Sequence, residues 1–160
     1  GYQKMHPDAH FDYDVAVGKV RRFVGESGRL PATGTDNNPL MGIGLSTHAE
    51  IALLSECGLT NAQVLEAATL QGARVLEIGD CKGSLDVGKE ADLLILDADP
   101  LQVVQSTTEI HAVVLRGKLF DRGALDGLLA EVEESVTLKR EEMLRQGESA
   151  PDISEYVTKD

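Results

Sequence analysis

The stretch THAEIALLSECGLTNAQVLEAATLQGARVL at residues 47–76 predicts two consecutive helices, and these decide the fold class of the chain. Thr47 and Glu50 have the spacing of a capping box, so the first helix is expected to begin there and to end at Gly58. Apolar side chains occur around much of the circumference of this helix. Most of it should therefore be buried.

The second helix has the clearer pattern. Thr60 and Gln63 repeat the capping-box spacing. The residues expected on one face recur with a period of 3.6, and they are Val64, Leu65, Ala68, Gly72, Val75 and Leu76. Two helices in succession, each with an apolar face, need further elements to cover them.

A helix and a short strand are predicted upstream of this stretch. Asp14 is expected to cap a helix that runs to about Glu26. One face of that helix carries Val17, Val20 and Val24. Residues 30–34 form an apolar run that glycines bound, which suits a buried parallel strand, and residues 37–46 are expected to form a loop.

The pattern changes downstream of Gly79. Short β-rich runs follow at Leu93–Leu96, Ala112–Leu115 and Lys118–Phe120. A tight hairpin is predicted at Arg116-Gly117. A helix is predicted from Arg122 onward, with an i,i+4 pair at Glu141 and Arg145. Its apolar stripe consists of Leu125, Leu128, Leu129, Val132 and Val136.

Composition excludes several classes of function. A chain of 160 residues with 42% hydrophobic and 26% charged residues is typical of a soluble globular protein. The formal net charge of −12 repels phosphate backbones and anionic lipids, so neither nucleic acid nor a membrane is an expected partner. The sequence shows no signal pattern, so we expect a cytoplasmic protein in which Cys57 and Cys81 are reduced, although one disulfide is formally allowed.

Asp36 is the strongest candidate for chemistry. It follows the predicted strand at residues 30–34, and α/β barrels place catalytic groups just past the carboxyl ends of their strands. A carboxylate there can bind a divalent metal or take a proton from a metal-bound water. The alternative is that Asp36 only caps the turn before the loop.

The segment His48-Ala49-Glu50 matches half of the zinc deaminase signature. The other half, P-C-x-x-C, is absent and Cys57 stands alone, so we reject that interpretation. In the simpler interpretation His48 is an exposed residue at a helix start. It can still reach a substrate, because its loop follows the strand that precedes Asp36.

Three other patterns give no site. Residues 42–47 begin like a phosphate-binding glycine loop, but no apolar strand leads into them, so they indicate loop flexibility. Ser46 lacks the His and acid partners of a nucleophile elbow. The possible ligands near the N-terminus lack the spacing of a calcium loop and indicate a solvated segment; they are His6, His10, Asp12 and Asp14.

Four segments in this order carry a resemblance to a known family. They are GTDN at 34–37, the stretch at 47–76, GSLDVGKEADLLILDADPL at 83–101 and AVVLRGKLFDR at 112–122. Together they resemble the C-terminal portion of the amidohydrolase superfamily, nearest to its imidazolonepropionase-like and prolidase-like branch. The resemblance extends over roughly residues 10–125.

The resemblance implies an α/β fold: the C-terminal segment of a TIM-type (β/α)8 barrel, part of a small β-sandwich, and a C-terminal helix. Residues 1–78 would be the end of the barrel, residues 79–121 the sandwich portion, and residues 122–160 the helix and tail. Asp36 would be the strand-eight aspartate, which binds the metal and activates the attacking hydroxide. His48 would lie over the site and contact substrate, and Asp92 would be structural.

The resemblance also implies a divalent metal, zinc by expectation, whose other ligands lie outside this chain. The His-x-His pair, the carboxylated lysine and the further histidines of the family do not appear here. A catalytic zinc normally needs three or more protein ligands, so the isolated chain should be inactive and metal-free. We expect the remaining barrel segment, a partner chain or a homo-oligomer to complete it, with a small molecule as substrate.

Two functions follow. The first is the C-terminal part of a metal-dependent amidohydrolase that cleaves C–N bonds in an amide, a cyclic amide or a dipeptide. The second is a non-catalytic remnant of such an enzyme that serves in assembly.

Overall fold

The computed structural model describes residues 12–35 and 44–147. Asp36, His6 and His10 lie outside these ranges, so the sequence predictions about them stay predictions. In the described part, helices precede a small antiparallel sheet and a long final helix. The predicted mixture of helices and strands is confirmed, whereas the strands described here form neither a closed barrel nor a two-sheet sandwich.

Helix α1 runs from Tyr13 to Ser27. Its N-cap is Asp12, not Asp14 as predicted, because the Asp12 carboxylate accepts a hydrogen bond from the Val15 N–H at 3.1 Å. The predicted face packs against the hydrophobic core through Val17, Val20 and Val24. Arg21 fastens this helix to the end of the next one by donating to the carbonyl oxygens of Glu56 and Cys57 at 3.0 and 3.2 Å.

Helix α2 runs from Leu45 to Glu56. The predicted capping box at its start is wrong, because the helix begins two residues before Thr47 and has Gly44 as its N-cap, without a side-chain hydrogen bond. Glu50 is therefore free to bind elsewhere. The helix ends near the predicted place, with Gly58 at a φ of 93° just past it.

The second predicted helix consists of three parts in the structure. Helix α3 spans Asn61–Glu66, a π-helical turn spans Ala67–Gln71, and helix α4 spans Gly72–Val75. The capping box between Thr60 and Gln63 is confirmed. The single continuous face is wrong beyond the π turn, because the wider turn rotates later residues out of register, and Val75 and Leu76 are 71% and 68% exposed.

The hydrophobic core lies among these helices. It consists of Ile51, Leu54, Cys57, Leu59, Val64, Ala67 and Val104. Val64 and Ala67 are fully buried, and Val104 reaches the cluster from the 3-10 segment Val104–Thr108 between two strands. This segment joins the helical half of the molecule to the sheet.

Residues 30–34, predicted as a strand, form a segment without a ladder partner among the described residues. Leu30 packs against the core, and the Thr33 N–H donates to the carbonyl oxygen of Ala67 at 3.3 Å. A strand needs neighbouring strands to form a ladder, and the described strands pair only with one another.

The sheet has the order β1-β2-β3 and is antiparallel, with β1 at Leu93–Leu96, β2 at Ile110–Leu115 and β3 at Lys118–Phe120. The predicted strands are confirmed, with β2 beginning two residues earlier. The predicted hairpin is confirmed too: Arg116 and Gly117 both have positive φ, at 51° and 78°, as a tight two-residue turn requires.

A polar cluster fastens the loop before the sheet. Asp92 accepts hydrogen bonds from the Arg116 N–H at 2.7 Å and from Lys82 Nζ at 2.5 Å. Lys89 donates to the carbonyl oxygen of Gly79 and to the hydroxyl of Ser84. Asp92 thus ties the loop to the hairpin, which agrees with the structural role expected for it.

Helix α5 runs from Arg122 to Arg145, with Asp121 as its N-cap. The predicted i,i+4 pair of Glu141 and Arg145 is a side-chain-to-backbone contact in the structure. Arg145 Nε donates to the backbone carbonyl oxygen of Glu141 at 3.3 Å. Among the described residues, no helix is long and apolar enough to cross a bilayer. Within the same ranges, Cys57 and Cys81 are both free thiols, as predicted.

Candidate functional site

The segment that leads into Asp36 is held by helix α2. Both oxygens of the Glu50 carboxylate accept the N–H of Gly34, at 2.9 and 3.0 Å. Ser46, which is 4% exposed, has its hydroxyl 3.5 Å from the hydroxyl of Thr35. Asp36 is the next residue in the sequence. Two side chains from the first turns of α2 thus fix the backbone immediately before the predicted catalytic carboxylate.

Sequence reasoning missed this role for Glu50, because the spacing to Thr47 suggested a cap. Two signals pointed the other way. Gly44 is the residue at which the chain can take a φ of 89° and start a helix early, and a carboxylate in the first two turns of a helix is then available for another N–H. A hydrogen bond to a charged acceptor is among the stronger ones, which suits an anchor.

His48 lies on α2 and is half-buried. Its Nδ1 atom is in hydrogen-bond contact with the hydroxyl of Thr107 at 3.1 Å. Thr107 belongs to the 3-10 segment next to the sheet and is 4% exposed. The contact fixes the ring across the junction of the two halves and leaves Nε2 as its second polar atom. His48 is therefore more constrained than the predicted exposed residue at a helix start.

A groove of about 1110 Å³ lies between α2, the π turn and strand β1. His48 and Thr107 form part of its wall, together with Thr47 and Thr69. Apolar side chains from the helices and from the whole of β1 make up most of the rest. A mostly apolar wall with a few polar groups is the usual composition of a small-molecule site.

The ligand set for a metal is incomplete in the described part of the chain. No three residues of the types His, Cys, Asp and Glu come together there in a group that could hold an ion. Asp36, the predicted ligand, falls outside the described ranges. The described residues alone therefore do not fit a metal centre, and a complete one needs groups from elsewhere.

Two ionisable groups in the wall of the groove have clearly shifted pKa values, and both act in the fold. The hydrogen bond from Lys82 lowers the pKa of Asp92, and the N–H of Arg116 lowers it further. The same carboxylate raises the pKa of Lys82, with a second contribution from Glu90. Both groups remain charged at neutral pH, which favours a permanent ion pair over proton transfer.

The amidohydrolase family model matches residues 19–120 of this chain. That range begins within α1 and ends with β3. It contains the predicted catalytic residue, the anchoring helix and the sheet. It stops just before α5.

Curated relatives are similar to this chain in sequence over a limited part of their length. An imidazolonepropionase from Deinococcus radiodurans is 38% identical over 89 residues, which cover 55% of this chain and 22% of the relative. A 5'-deoxyadenosine deaminase from Methanobrevibacter smithii is 30% identical over 105 residues, which cover 63% of this chain and 24% of the relative. The chain thus spans less than a quarter of the length of these two relatives.

A solved structure is similar as well. A Xaa-Pro dipeptidase with methionine bound in its active site superposes with a TM-score of 0.58 and 27% identity. The superposition covers 65% of this chain and 25% of the dipeptidase.

Proposed function

The chain belongs to the amidohydrolase family, and we propose from this premise that it forms the C-terminal part of a metal-dependent hydrolase acting on C–N bonds. The relatives are named for an imidazolone, a deamination and an Xaa-Pro dipeptide. Their common chemistry supports an amide, a cyclic amide or a dipeptide as the substrate class. The whole activity is proposed for an assembly that includes this chain and not for residues 1–160 alone.

The observation that supports the proposal most is the anchored segment before Asp36. A barrel active site needs its carboxylate on a backbone that does not move, because small misplacements of a catalytic group are costly in rate. The Gly34 N–H is bound by both oxygens of Glu50, and Ser46 contacts the adjacent Thr35. An anchor of this kind suits a backbone that positions a catalytic carboxylate.

The proposed role of Asp36 is to take the proton from the attacking water. A carboxylate that is ionised at neutral pH can do this while the water attacks the carbonyl carbon. A divalent metal, when bound, would polarise the carbonyl and acidify that water. We propose zinc, with every ligand other than Asp36 supplied from outside this chain.

His48 is proposed to contact the substrate. Its Nδ1 is held by Thr107, which leaves Nε2 to exchange a hydrogen bond with a polar group in the groove. The apolar wall around it suits the non-reacting part of a small substrate. Replacement of His48 by Ala should therefore raise KM more than it lowers kcat.

The test of the proposed function is the pair Asp36→Asn and Asp80→Asn, assayed in the complete assembly. Asp80 is exposed and lies outside the groove, so it controls for the loss of one charge. We expect Asp36→Asn to lose several orders of magnitude in kcat and Asp80→Asn to match the wild type. A kcat close to wild type for Asp36→Asn would show that Asp36 has no catalytic role, and it would contradict the proposal.

A second function is favoured by one observation. Helix α5 lies beyond the residues that the family model matches, and most of its side chains are exposed. This suits a non-catalytic remnant that serves in assembly. Native mass spectrometry separates the two functions: a companion polypeptide in the active particle supports the enzyme, and a stable, metal-free particle of this chain alone supports the remnant.

A further inference from the structure

Beyond its first turn, helix α5 carries an apolar stripe that stands largely exposed in the described part of the chain. Its 24 residues form hydrogen bonds to the sheet only near the start, where Arg122 donates to the carbonyl oxygen of Ile110 at 2.9 Å. Leu129 and Val132 are 63% and 60% exposed. A helix of this kind gains most of its stability from packing of its apolar face, so a bare stripe indicates a missing contact.

The stripe has the spacing of a coiled-coil seam. Four stripe residues, Leu125, Leu129, Val132 and Val136, alternate by four and three residues, and Lys139 and Met143 continue the same spacing beyond the stripe. In heptad terms, residues 129, 136 and 143 take position a, and residues 125, 132 and 139 take position d. A strict seam of this kind fits another helix better than it fits the flat face of a sheet.

The charges along the helix differ between its two halves. Residues 122–133 contain the acids Asp126, Glu131 and Glu133 against one base, Arg122. Residues 134–145 contain the bases Lys139, Arg140 and Arg145 against the acids Glu134, Glu141 and Glu142. An antiparallel copy of the same helix would bring Asp126 in the acidic half beside Arg140 in the other half.

We propose that this stripe binds a second copy of the chain, with the two α5 helices antiparallel. In this alignment Val132 of one copy faces Val136 of the other, and Leu125 faces Met143. Lys139 lies opposite Leu129 and covers it with its aliphatic stem while the ammonium reaches water. Asp126 and Arg140, both at position e, face each other twice across the pair.

The alignment contains one unfavourable contact, which makes it testable. Position e of the central heptad is Glu133, and the two copies of Glu133 meet at the twofold axis. Like charges opposite each other weaken an association. In a parallel alignment Glu133 would face Leu128 instead, so only the antiparallel pair predicts a gain when this charge is removed.

The first experiment measures the mass of the 160-residue chain by sedimentation over a range of concentrations. The monomer mass is 17.2 kDa, and we expect a species of twice that mass. Leu129→Glu should weaken the dimer about 100-fold or more, because it places a charge in the seam. The matched control is Leu138→Glu, which makes the same change at an exposed residue off the stripe and should leave the dimer unchanged.

The second experiment tests the orientation with variants that leave the seam intact. Glu133→Gln should tighten the dimer several-fold, and Glu133→Cys should form a disulfide-linked dimer under mild oxidation while Leu138→Cys does not. The wild type, which carries the buried Cys57 and the partly buried Cys81, serves as the blank.

Four results would overturn the proposal: a monomeric wild type, a dimer that tolerates Leu129→Glu, a Glu133→Gln dimer no tighter than wild type, or a different polypeptide seated on α5.

Discussion

The helical half and the sheet half of this molecule bury their apolar residues very differently. In the helical half, α1, α2 and α3 pack against one another and contribute nearly all of the core. In the sheet half, β1 leaves Leu94 and Ile95 almost half exposed, and only Val104 and Ala112 become fully buried apolar residues. The helical half supplies nearly all of the core, to which the other half adds Val104, and the sheet half keeps apolar side chains exposed.

This difference agrees with the position of the chain within its family. The two relatives are more than four times longer than the matched segment. The exposed apolar side chains of β1 and α4 suit a chain that spans only part of such a protein. Contacts local in sequence survive in a short segment, whereas sheet contacts depend on distant strands. The stability of the two halves should therefore respond differently to mutation.

The largest effect is expected from truncation in the helical core. Leu54→Ala removes a side chain that is 7% exposed, and it should lower the free energy of unfolding by about 2–5 kcal/mol. Leu119→Ala in β3 removes one that is 59% exposed and should cost about 0.5 kcal/mol or less. Chemical denaturation monitored by circular dichroism measures both. Equal losses would show that the sheet half is as well packed as the helical half.

The next effect concerns a close approach between the loop before the sheet and helix α4. Gly83 has a φ of 90°, and a Cβ added there would lie 2.6 Å from the Cβ of Ala73. Gly83→Ala should cost about 2–4 kcal/mol, from the strained backbone and the overlap together. Gly88→Ala has the same kind of backbone but open space around it, so it should cost about 1–2 kcal/mol. Thermal unfolding of the two variants separates the effect of steric overlap from that of backbone strain. Equal shifts in Tm would contradict the close approach of Gly83 to Ala73.

A smaller effect is expected at the anchor before Asp36. Glu50→Ala leaves the Gly34 N–H without its acceptor, and it should lower kcat of the complete assembly by roughly 10–100-fold through misplacement of Asp36. Glu50→Gln keeps one oxygen acceptor and should recover most of the rate.

Hydrogen exchange of the Gly34 amide gives an independent readout for the anchor. This exchange should accelerate in Glu50→Ala whether or not the assay finds activity. Unchanged exchange would show that Glu50 does not hold the segment, whereas faster exchange with normal kcat would show that Asp36 does not depend on it.

The smallest effect is a pH dependence of stability from the polar cluster of the sheet half. The pKa of Asp92 lies below its ordinary value of 3.8 in the folded state, so its contribution is present above that value and is lost as the pH falls through the folded pKa. The pKa of Lys82 lies above its ordinary value of 10.5, so its contribution is present below that value and is lost as the pH rises through the folded pKa.

Asp92→Asn should therefore flatten the fall of Tm in the acid range, relative to the exposed control Asp80→Asn. Melting curves collected between about pH 2.5 and pH 7 measure this difference. Identical decreases of Tm at low pH in the two variants would show that Asp92 does not contribute to the pH dependence of stability.

Local signals in the sequence predicted the elements well. The capping box at Thr60, the hairpin at Arg116-Gly117 and the start of the last helix at Arg122 depend on neighbouring residues only, and all three are found in the structure. The π turn was not predicted, because a wider turn changes the periodicity without a characteristic residue type.

Signals that depend on distant residues were less informative. The spacing of Thr47 and Glu50 fitted a cap, but the actual partner of Glu50 is Gly34, sixteen residues away. The contact between His48 and Thr107 spans 59 residues and carries no local pattern at all. The sequence indicated which side chains could take part in a site, and only the fold showed which of them hold it in place.

The central claim is that this chain contributes one carboxylate to a metal site that other residues complete. The most direct test is the metal content of the native assembly, measured by mass spectrometry for wild type and Asp36→Asn. The account predicts about one or two divalent ions per chain in the wild type and a clear loss of metal in the variant. A fully active wild type without metal, or equal metal in both proteins, would contradict it.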